Sequence, residues 1–339
     1  MKVHLKGSVF VIVLLILASS CTLSVSEVLA HAPLATGGNE NLATATLIPD
    51  PAKSWAIYGE LHEGREAQYY SFNINEGQKI RVMLFKSTRP EDKEFLPGFV
   101  LMGHEINEQG DIPDYVQKPL GAKALVVKGV QPAQATFEPF SPSSFYSLAE
   151  TNLNAPTSGT YYLAVYEPSK GGHYGLAIGD RESYTLTEWI LIPLNLLSIY
   201  QWEGQNLAVI FTPMILTLTI GFALILKQSK TEKKPKTVSG WLGASAGLLF
   251  ISTSTTTLFQ LAFSLTQAPL GSEVAVTLIL ALIPTLLGIA ALRLSLTGEK
   301  KTNLKKRVYL AILGVAALFA WAGLLIGPVL AIIASILPS

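Results

Sequence analysis

The C-terminal part of the chain contains four long apolar runs, at residues 207–226, 241–265, 274–294 and 308–337. A helix of about 20 apolar residues is long enough to cross the roughly 30 Å hydrocarbon layer of a membrane. No Asp, Glu, Lys or His lies within any of the four runs. The pattern predicts that residues 204–339 form a transmembrane bundle of about four helices in contact with membrane lipid.

The first 30 residues have the order of a secretory signal peptide. Lys2 and Lys6 precede an apolar stretch at residues 9–18, and small and polar residues follow as far as Ala30. We therefore predict cleavage after Ala30, so that the mature chain begins at His31 and residues 31–183 form an extracytoplasmic domain. Cys21 is the only cysteine and would leave with the signal peptide, which excludes a disulfide from the mature chain.

The net charge of +1 conceals two halves of opposite sign. Residues 31–203 contain 20 acidic and 12 basic residues, whereas residues 204–339 contain 3 acidic and 11 basic residues. The basic residues of the second half lie between the first and second apolar runs and between the third and fourth. Because Lys and Arg are retained on the cytoplasmic side, we expect loops 227–240 and 295–307 to be cytoplasmic. The N-terminal domain and the C-terminus are then extracytoplasmic. The acidic first half argues against a nucleic-acid partner.

Seven short β-prone stretches precede the apolar runs, at residues 55–61, 68–74, 79–85, 98–102, 124–127, 160–165 and 174–178. Tyr70, Phe72 and Ile74 alternate with polar neighbours, which is the two-residue period of a half-buried strand. Residues 75–78 predict a tight turn between two of the strands. We therefore expect an all-β extracytoplasmic domain, a sandwich or jelly roll, with loops at residues 86–90 and 140–144.

Residues 184–203 connect this domain to the first apolar run. They contain Trp189, Tyr200 and Trp202 among aliphatic residues. Trp and Tyr favour the headgroup level of a membrane. The segment is therefore predicted to be an interfacial helix or re-entrant shoulder that docks the domain on the membrane; the alternative is an irregular linker with chance aromatic residues.

Two parts of the β-prone region resemble a known module. They are Tyr69-Tyr70-Ser71-Phe72-Asn73-Ile74, followed by Glu76-Gly77-Gln78, and Gly159-Thr160-Tyr161-Tyr162-Leu163. This order is similar to that of the bacterial pre-peptidase C-terminal domain, and the resemblance covers residues 39–179. It implies a small, non-catalytic β-sandwich with an adhesive, substrate-presenting or stabilising role. The chain departs from the family at Glu66, near which an Asp is common, and in the longer stretch 86–154.

The sharpest hypothesis about chemistry concerns His31. A mature N-terminal histidine offers its α-amine and a ring nitrogen together, which is a strong chelate for copper(II). His62, His104 or His173 would supply a further nitrogen. The alternative is that these histidines are incidental surface residues, because the chain contains no His-x-His pair.

Catalytic signatures are absent from the sequence, including Gly-x-Ser-x-Gly and His-Glu-x-x-His. The chain is therefore predicted to be a non-enzymatic, membrane-anchored surface protein whose β-sandwich binds a protein partner or an envelope glycan. The alternatives are copper binding or delivery, and a transporter or sensor component. The lack of Asp, Glu, Lys and His in the apolar runs disfavours coupled transport.

Small residues in the apolar runs predict close packing of helices. Gly243 and Gly247, and likewise Gly323 and Gly327, have the small-xxx-small spacing that lets two helices approach closely. Packing within the chain is the default interpretation, and a helix-mediated oligomer is the alternative. Pro328 is expected to kink or divide the fourth run.

Overall fold

The computed structural model describes residues 32–34, 36–227, 235–297 and 303–337. The predicted signal peptide, Cys21 and His31 lie outside these ranges. The described strands are β1 (Ala32–Pro33), β2 (Thr46–Leu47), β3 (Trp55–Glu63), β4 (Glu66–Ile74), β5 (Lys79–Ser87), β6 (Gly98–Gly103), β7 (Lys123–Val127), β8 (Thr136–Glu138), β9 (Ser143–Asn154), β10 (Gly159–Glu167) and β11 (Lys170–Ile178). The helices are α1 (Leu186–Trp202), α2 (Leu207–Lys227), α3 (Val238–Ser264), α4 (Val274–Ser295), α5 (Leu304–Phe319) and α6 (Ile326–Ile336).

The strands form two facing sheets. The six-stranded sheet has the order β1-β3-β11-β5-β9-β8, and the five-stranded sheet has the order β2-β4-β10-β6-β7. Side chains from both inner faces form one core that includes Ile57, Phe72, Leu84, Leu163 and Leu176. The predicted all-β sandwich is therefore confirmed, and each of the seven predicted stretches lies within a strand.

The turn between β4 and β5 forms as predicted. Gly77 has a φ of 77°, a conformation that glycine adopts without steric cost. The Gln78 N–H donates to the Asn75 carbonyl at 3.1 Å. The Gln78 side chain in turn accepts from the Asn75 N–H at 2.8 Å. The turn connects two strands that belong to different sheets.

The stretch 86–154 is not a loop-bounded insertion. It contains the end of β5 and four whole strands, β6 to β9, and its 12-residue β9 pairs with β5 from Lys79↔Asn154 to Ser87↔Phe145. The predicted loops at residues 86–90 and 140–144 are corrected in part, because Lys86 and Ser87 belong to β5 while Ser143 and Ser144 begin β9. β9 escaped prediction because it is rich in Ser, Asn, Glu and Ala, and pairing with β5 outweighs their low strand preference.

Residues 184–203 form a helix. Thr185 is the N-cap of α1, where its hydroxyl accepts from the Glu188 N–H at 3.2 Å while the Glu188 carboxylate accepts from the Thr185 N–H at 2.7 Å. This reciprocal capping box satisfies two backbone donors that the first turn of a helix leaves unpaired. The irregular-linker alternative is therefore wrong.

Three helices are long and apolar enough to cross a membrane: Leu207–Lys227, Val238–Ser264 and Val274–Ser295. Glycines allow two of them to pack closely. A Cβ at Gly247 would lie 2.9 Å from the Gly288 carbonyl oxygen, so α3 and α4 meet backbone to backbone at this level. Gly323 and Gly327 both face the Phe250 ring of α3. The small-xxx-small pairs are thus used for packing within the chain.

The fourth apolar run folds back on itself instead of crossing once. It forms α5 and α6, separated by a turn in which Trp321, Gly323 and Leu324 have positive φ. Arg307 at the start of α5 donates through Nε to the Ser335 carbonyl near the end of α6 at 2.7 Å. The break between α5 and α6 lies before Pro328, the residue at which the run was expected to kink or divide. Pro328 itself lies in the first turn of α6, where its missing N–H costs no helical hydrogen bond.

This hairpin returns the end of the fourth run to the end of the bundle where the run begins. The predicted extracytoplasmic C-terminus would require the run to finish at the opposite end of the bundle from loop 295–307. In the structure, the Ser239 hydroxyl at the start of α3 donates to the Ala334 carbonyl at 2.6 Å. The last described residues therefore lie at the same end of the bundle as Arg307.

Candidate functional site

Helix α1 covers the outer face of the six-stranded sheet. The Trp202 ring lies 5.0 Å from the Tyr58 ring and 5.8 Å from the Phe85 ring, both in edge-on geometry. Phe85 lies flat on the sheet because its neighbour on β11 is Gly175, where a Cβ would come within 2.1 Å of the ring. Aromatic pairs of this geometry contribute beyond their buried area, so the sheet and α1 form a specific contact.

A chain of polar contacts reinforces this junction. Arg89 donates through Nη1 to the Trp202 carbonyl at 3.3 Å, and the same atom lies 3.1 Å from His173 Nε2. Asp92 lies 3.4 Å from His173 Nδ1 on the other side of the ring. Burial alone would raise the pKa of Asp92, but its hydrogen bonds with His173 and the charges of His173 and Arg89 bring that pKa below its usual value.

Lys86 positions the loop that carries Arg89 and Asp92. Its buried ammonium donates to the carbonyls of Asp92, Lys93 and Phe95 at 2.8, 3.1 and 2.7 Å. Burial lowers the pKa of Lys86, and the nearby Asp92 offsets part of that effect. The sequence did not indicate this role, because Lys86 lay in a predicted loop.

The bundle also contacts the β-domain directly. The Thr277 hydroxyl of α4 donates to the Pro139 carbonyl, and the Ser264 hydroxyl of α3 donates to the Pro142 carbonyl, both at 2.7 Å. Both hydroxyls are buried. Hydroxyls in apolar surroundings need such partners, so these bonds fix residues 139–142 on the ends of two spanning helices.

Between these contacts lies a cavity of about 630 Å³, here called the junction cavity. Its roof is the outer face of the six-stranded sheet, and its floor is α1 with the α3–α4 connection. Its lining includes Tyr58, Met83, Phe145, Leu196, Ile199 and Trp202 together with the carboxyl groups of Glu138, Glu203 and Glu273. The volume falls within the roughly 300–1,000 Å³ of small-molecule pockets.

Two of these residues, Glu138 and Glu203, are half-buried in the wall of the cavity. Burial raises the pKa of Glu138 to about 7, opposed by hydrogen bonds from the Phe140 and Ser141 N–H groups. Burial raises the pKa of Glu203 to about 8, opposed by the Ser144 N–H and by the Ser143 and Gln205 side chains. Both carboxyl groups therefore exchange protons near neutral pH.

Ser143 is a neighbour of both glutamates. It pairs with Glu138 across β8 and β9, and its side chain hydrogen-bonds Glu203. Burial raises the pKa of the neighbouring Tyr58, and the charges of Glu138 and Glu203 raise it further. Sequence reasoning missed both glutamates, although each stands alone between an aromatic residue and a Pro or Gly, in Phe137-Glu138-Pro139 and Trp202-Glu203-Gly204.

A second cavity, of about 470 Å³, lies below the first among α1, α2, α3 and α4 and is here called the bundle cavity. Phe140, Leu196 and Trp321 line both cavities. The rest of its lining is mainly apolar, with Ser252, Thr253, Thr256 and Thr257 from the hydroxyl-rich part of α3. Other hydroxyls of that stretch are used for packing; Ser254, for example, donates to the Ala281 carbonyl at 2.6 Å.

The predicted copper ligands are only partly brought together. His62 and His173 lie on either side of Glu60, at 3.9 and 3.6 Å from its carboxylate oxygens. His104 follows β6 near the opposite end of the sandwich, where its carbonyl accepts from Thr157. Within the described ranges, no group of three or more His, Cys, Asp or Glu side chains is arranged to hold a metal ion. The copper site through His31 stays a prediction.

Part of this chain is similar to a solved bacterial domain. No family model matches the chain, and no curated protein matches it. Among solved structures, the chain is similar to the pre-peptidase C-terminal domain of collagenase from Bacillus anthracis. The identity is 21%, over 39% of this chain and 91% of that domain, with a TM-score of 0.23.

Proposed function

We propose that the chain is a non-enzymatic, membrane-anchored binding protein that holds an envelope ligand in the junction cavity. The observation that carries the proposal is the pair of half-buried glutamates, Glu138 and Glu203, in the lining of a mainly apolar cavity between the β-domain and the bundle. Buried carboxyl groups reduce stability unless a partner compensates them. A ligand that satisfies them would offset this cost.

The domain is proposed to lie on the extracytoplasmic side. Lys227, Arg293 and Arg307 stand at the helix ends far from the β-domain, whereas Ser264 and Thr277 stand at the ends that contact it. This separation agrees with retention of basic residues on the cytoplasmic side. The ligand would then come from the outer leaflet or from the outer surface of the cell.

Native mass spectrometry of the full chain, extracted from its own membrane, tests the proposal. We expect a bound small molecule on the natural chain and its loss in Ala56→Phe, because Ala56 lines the junction cavity on β3. His62→Phe is the matched control, since His62 lies on the same strand and the same face but outside the cavity.

Two outcomes would contradict the proposal. If Ala56→Phe retained the same adduct at the same occupancy as His62→Phe, the junction cavity would not be the binding site. If the natural chain converted the bound molecule during incubation, the non-enzymatic role would be wrong.

A further inference from the structure

The junction cavity and the bundle cavity are neighbours. Phe140, Leu196 and Trp321 belong to the walls of both, so the cavities share these three side chains. Their volumes are about 630 and about 470 Å³. The junction cavity lies under the six-stranded sheet, the bundle cavity lies among the helices, and the two together are here called the elongated site. A ligand that fills both ends must itself have two chemically different ends.

The lower end is suited to an alkyl chain. Its walls come from α2, α3 and α4, which are the three helices able to cross a membrane, and include Ile210, Met214, Leu280 and Ile283. Apolar surface of this kind favours hydrocarbon over water by about 25 cal/mol per Å² of apolar area buried. A membrane supplies hydrocarbon chains at the same depth.

The upper end carries an excess of acidic groups. Glu138, Glu203 and Glu273 line it, whereas its one basic side chain, Arg81, lies 3.4 Å from the carboxylate of Glu150. Within the described part of the chain, no ion pair involves Glu138 or Glu203. Carboxylates taken out of water are normally paired with a cation. A phosphate or carboxylate head group would be repelled here, and an ammonium group would be attracted.

We propose that the site binds a single-chain amphiphile with a protonated amine head group, the alkyl chain lying among α1 to α4 and the ammonium between Glu138 and Glu203. This inference rests on the proposed function and names the chemical class of its ligand. The pKa values of about 7 and about 8 supply a further expectation. Because the ammonium binds the ionised carboxylates, its affinity should rise as the pH increases through this range, while an alkylamine itself stays protonated up to about pH 10.

The test uses the full chain in nanodiscs of a zwitterionic phospholipid. The probes are a long-chain primary alkylamine, the alcohol of the same length and the carboxylic acid of the same length, each brominated on the chain. Bromine quenches tryptophan fluorescence on contact, and Trp189, Trp202 and Trp321 line the site. All three probes also enter the bilayer, so the measured quantity is the saturable quenching that the cavity-filling variant Thr256→Phe removes.

The matched control for Thr256→Phe is Leu258→Phe, two residues along α3 on the lipid-exposed side. We expect Thr256→Phe to abolish the saturable quenching by the alkylamine and Leu258→Phe to leave it unchanged. We expect the alkylamine to bind at least about tenfold more tightly than the alcohol, and the acid to bind least. Glu203→Gln should weaken alkylamine binding about tenfold and leave alcohol binding unchanged, and the combined variant with Glu138→Gln should lose the pH dependence.

The outcomes separate the two proposals. If the alcohol or the acid bound as tightly as the alkylamine, and Thr256→Phe abolished that binding, the site would stand and the amine class would be wrong. If none of the three probes gave saturable quenching sensitive to Thr256→Phe, the elongated site would be wrong as well. Loss of alkylamine binding in Leu258→Phe would likewise contradict the assignment of the ligand's alkyl chain to the bundle cavity.

Discussion

The buried carboxyl of Glu138 makes the stability of the chain depend on pH in an unusual direction. Its pKa in the folded chain is about 7, compared with 4.5 when it is exposed, and burial is the main cause. The folded chain therefore keeps this proton up to about pH 7, whereas the unfolded chain loses it near pH 4.5. The free energy of unfolding should fall as the pH rises between these values and stay level above them.

Glu138→Gln removes this pH dependence and keeps a side-chain oxygen that can accept the hydrogen bond from the Phe140 N–H. One pKa unit corresponds to about 1.4 kcal/mol, so the full shift would amount to about 3 kcal/mol. The side chain faces a cavity large enough for water, and the resulting screening reduces this figure to about 2 kcal/mol. We therefore expect the variant to match the natural chain at about pH 4 and to be about 2 kcal/mol more stable at about pH 9.

Thermal unfolding of the full chain in detergent, followed by tryptophan fluorescence, measures the effect. For a chain of this size, the midpoint should shift by about 5 °C at about pH 9. Glu76→Gln is the control, because Glu76 is exposed in the β4–β5 turn. Glu203 also lowers the free energy of unfolding as the pH rises. The informative quantity is therefore the difference in midpoint between Glu138→Gln and the natural chain at each pH. A difference that does not change with pH, or a less stable variant at about pH 9, would refute the reasoning.

Three further predictions concern separate parts of the chain. Lys86→Met should lower the free energy of unfolding by about 2–4 kcal/mol, because three carbonyls lose their buried donor; chemical denaturation measures this, and an unchanged midpoint would contradict it. Gly288→Leu should separate α3 from α4 and lower the thermal midpoint, since a Cβ at Gly288 already lies 2.6 Å from the Gly247 carbonyl oxygen. The lipid-facing Ile289→Leu is its control and should have no effect. The copper hypothesis predicts that His31→Ala abolishes copper(II) binding at neutral pH in isothermal titration, and unchanged affinity would show that it is wrong.

The sandwich was predictable to the extent that its signals are local. Alternation in β4 and the turn at Gly77 can be read within a few residues, because side-chain direction in a strand has a period of two. β9 could not be found in this way. Its sequence becomes a strand through pairing with β5, whose residues lie 58 (Ser87↔Phe145) to 75 (Lys79↔Asn154) positions earlier in the chain.

The candidate site was not predictable from the sequence. Glu138 and Glu203 are 65 residues apart, and nothing near either residue shows that both face one cavity. Their pKa values depend on burial by α1 and the sheet, which is a property of elements that meet only after folding. The candidate copper-binding histidines, by contrast, were conspicuous by residue type, and among the three that the structure describes only His62 and His173 lie near one another.

The amino-acid sequence alone determined the division into a β-domain and an apolar helical bundle, and the helix α1 between them. Strand alternation, apolar run length and the Thr185 capping box are all properties of residues close together in the chain. Only the tertiary structure decided that the fourth run folds back as a hairpin and that two carboxyl groups lie under the sheet. The physical reason is that helix packing at Phe250 and burial at the junction depend on contacts between segments that are distant in the chain. The pattern of neighbouring residues in the sequence does not contain information on these contacts.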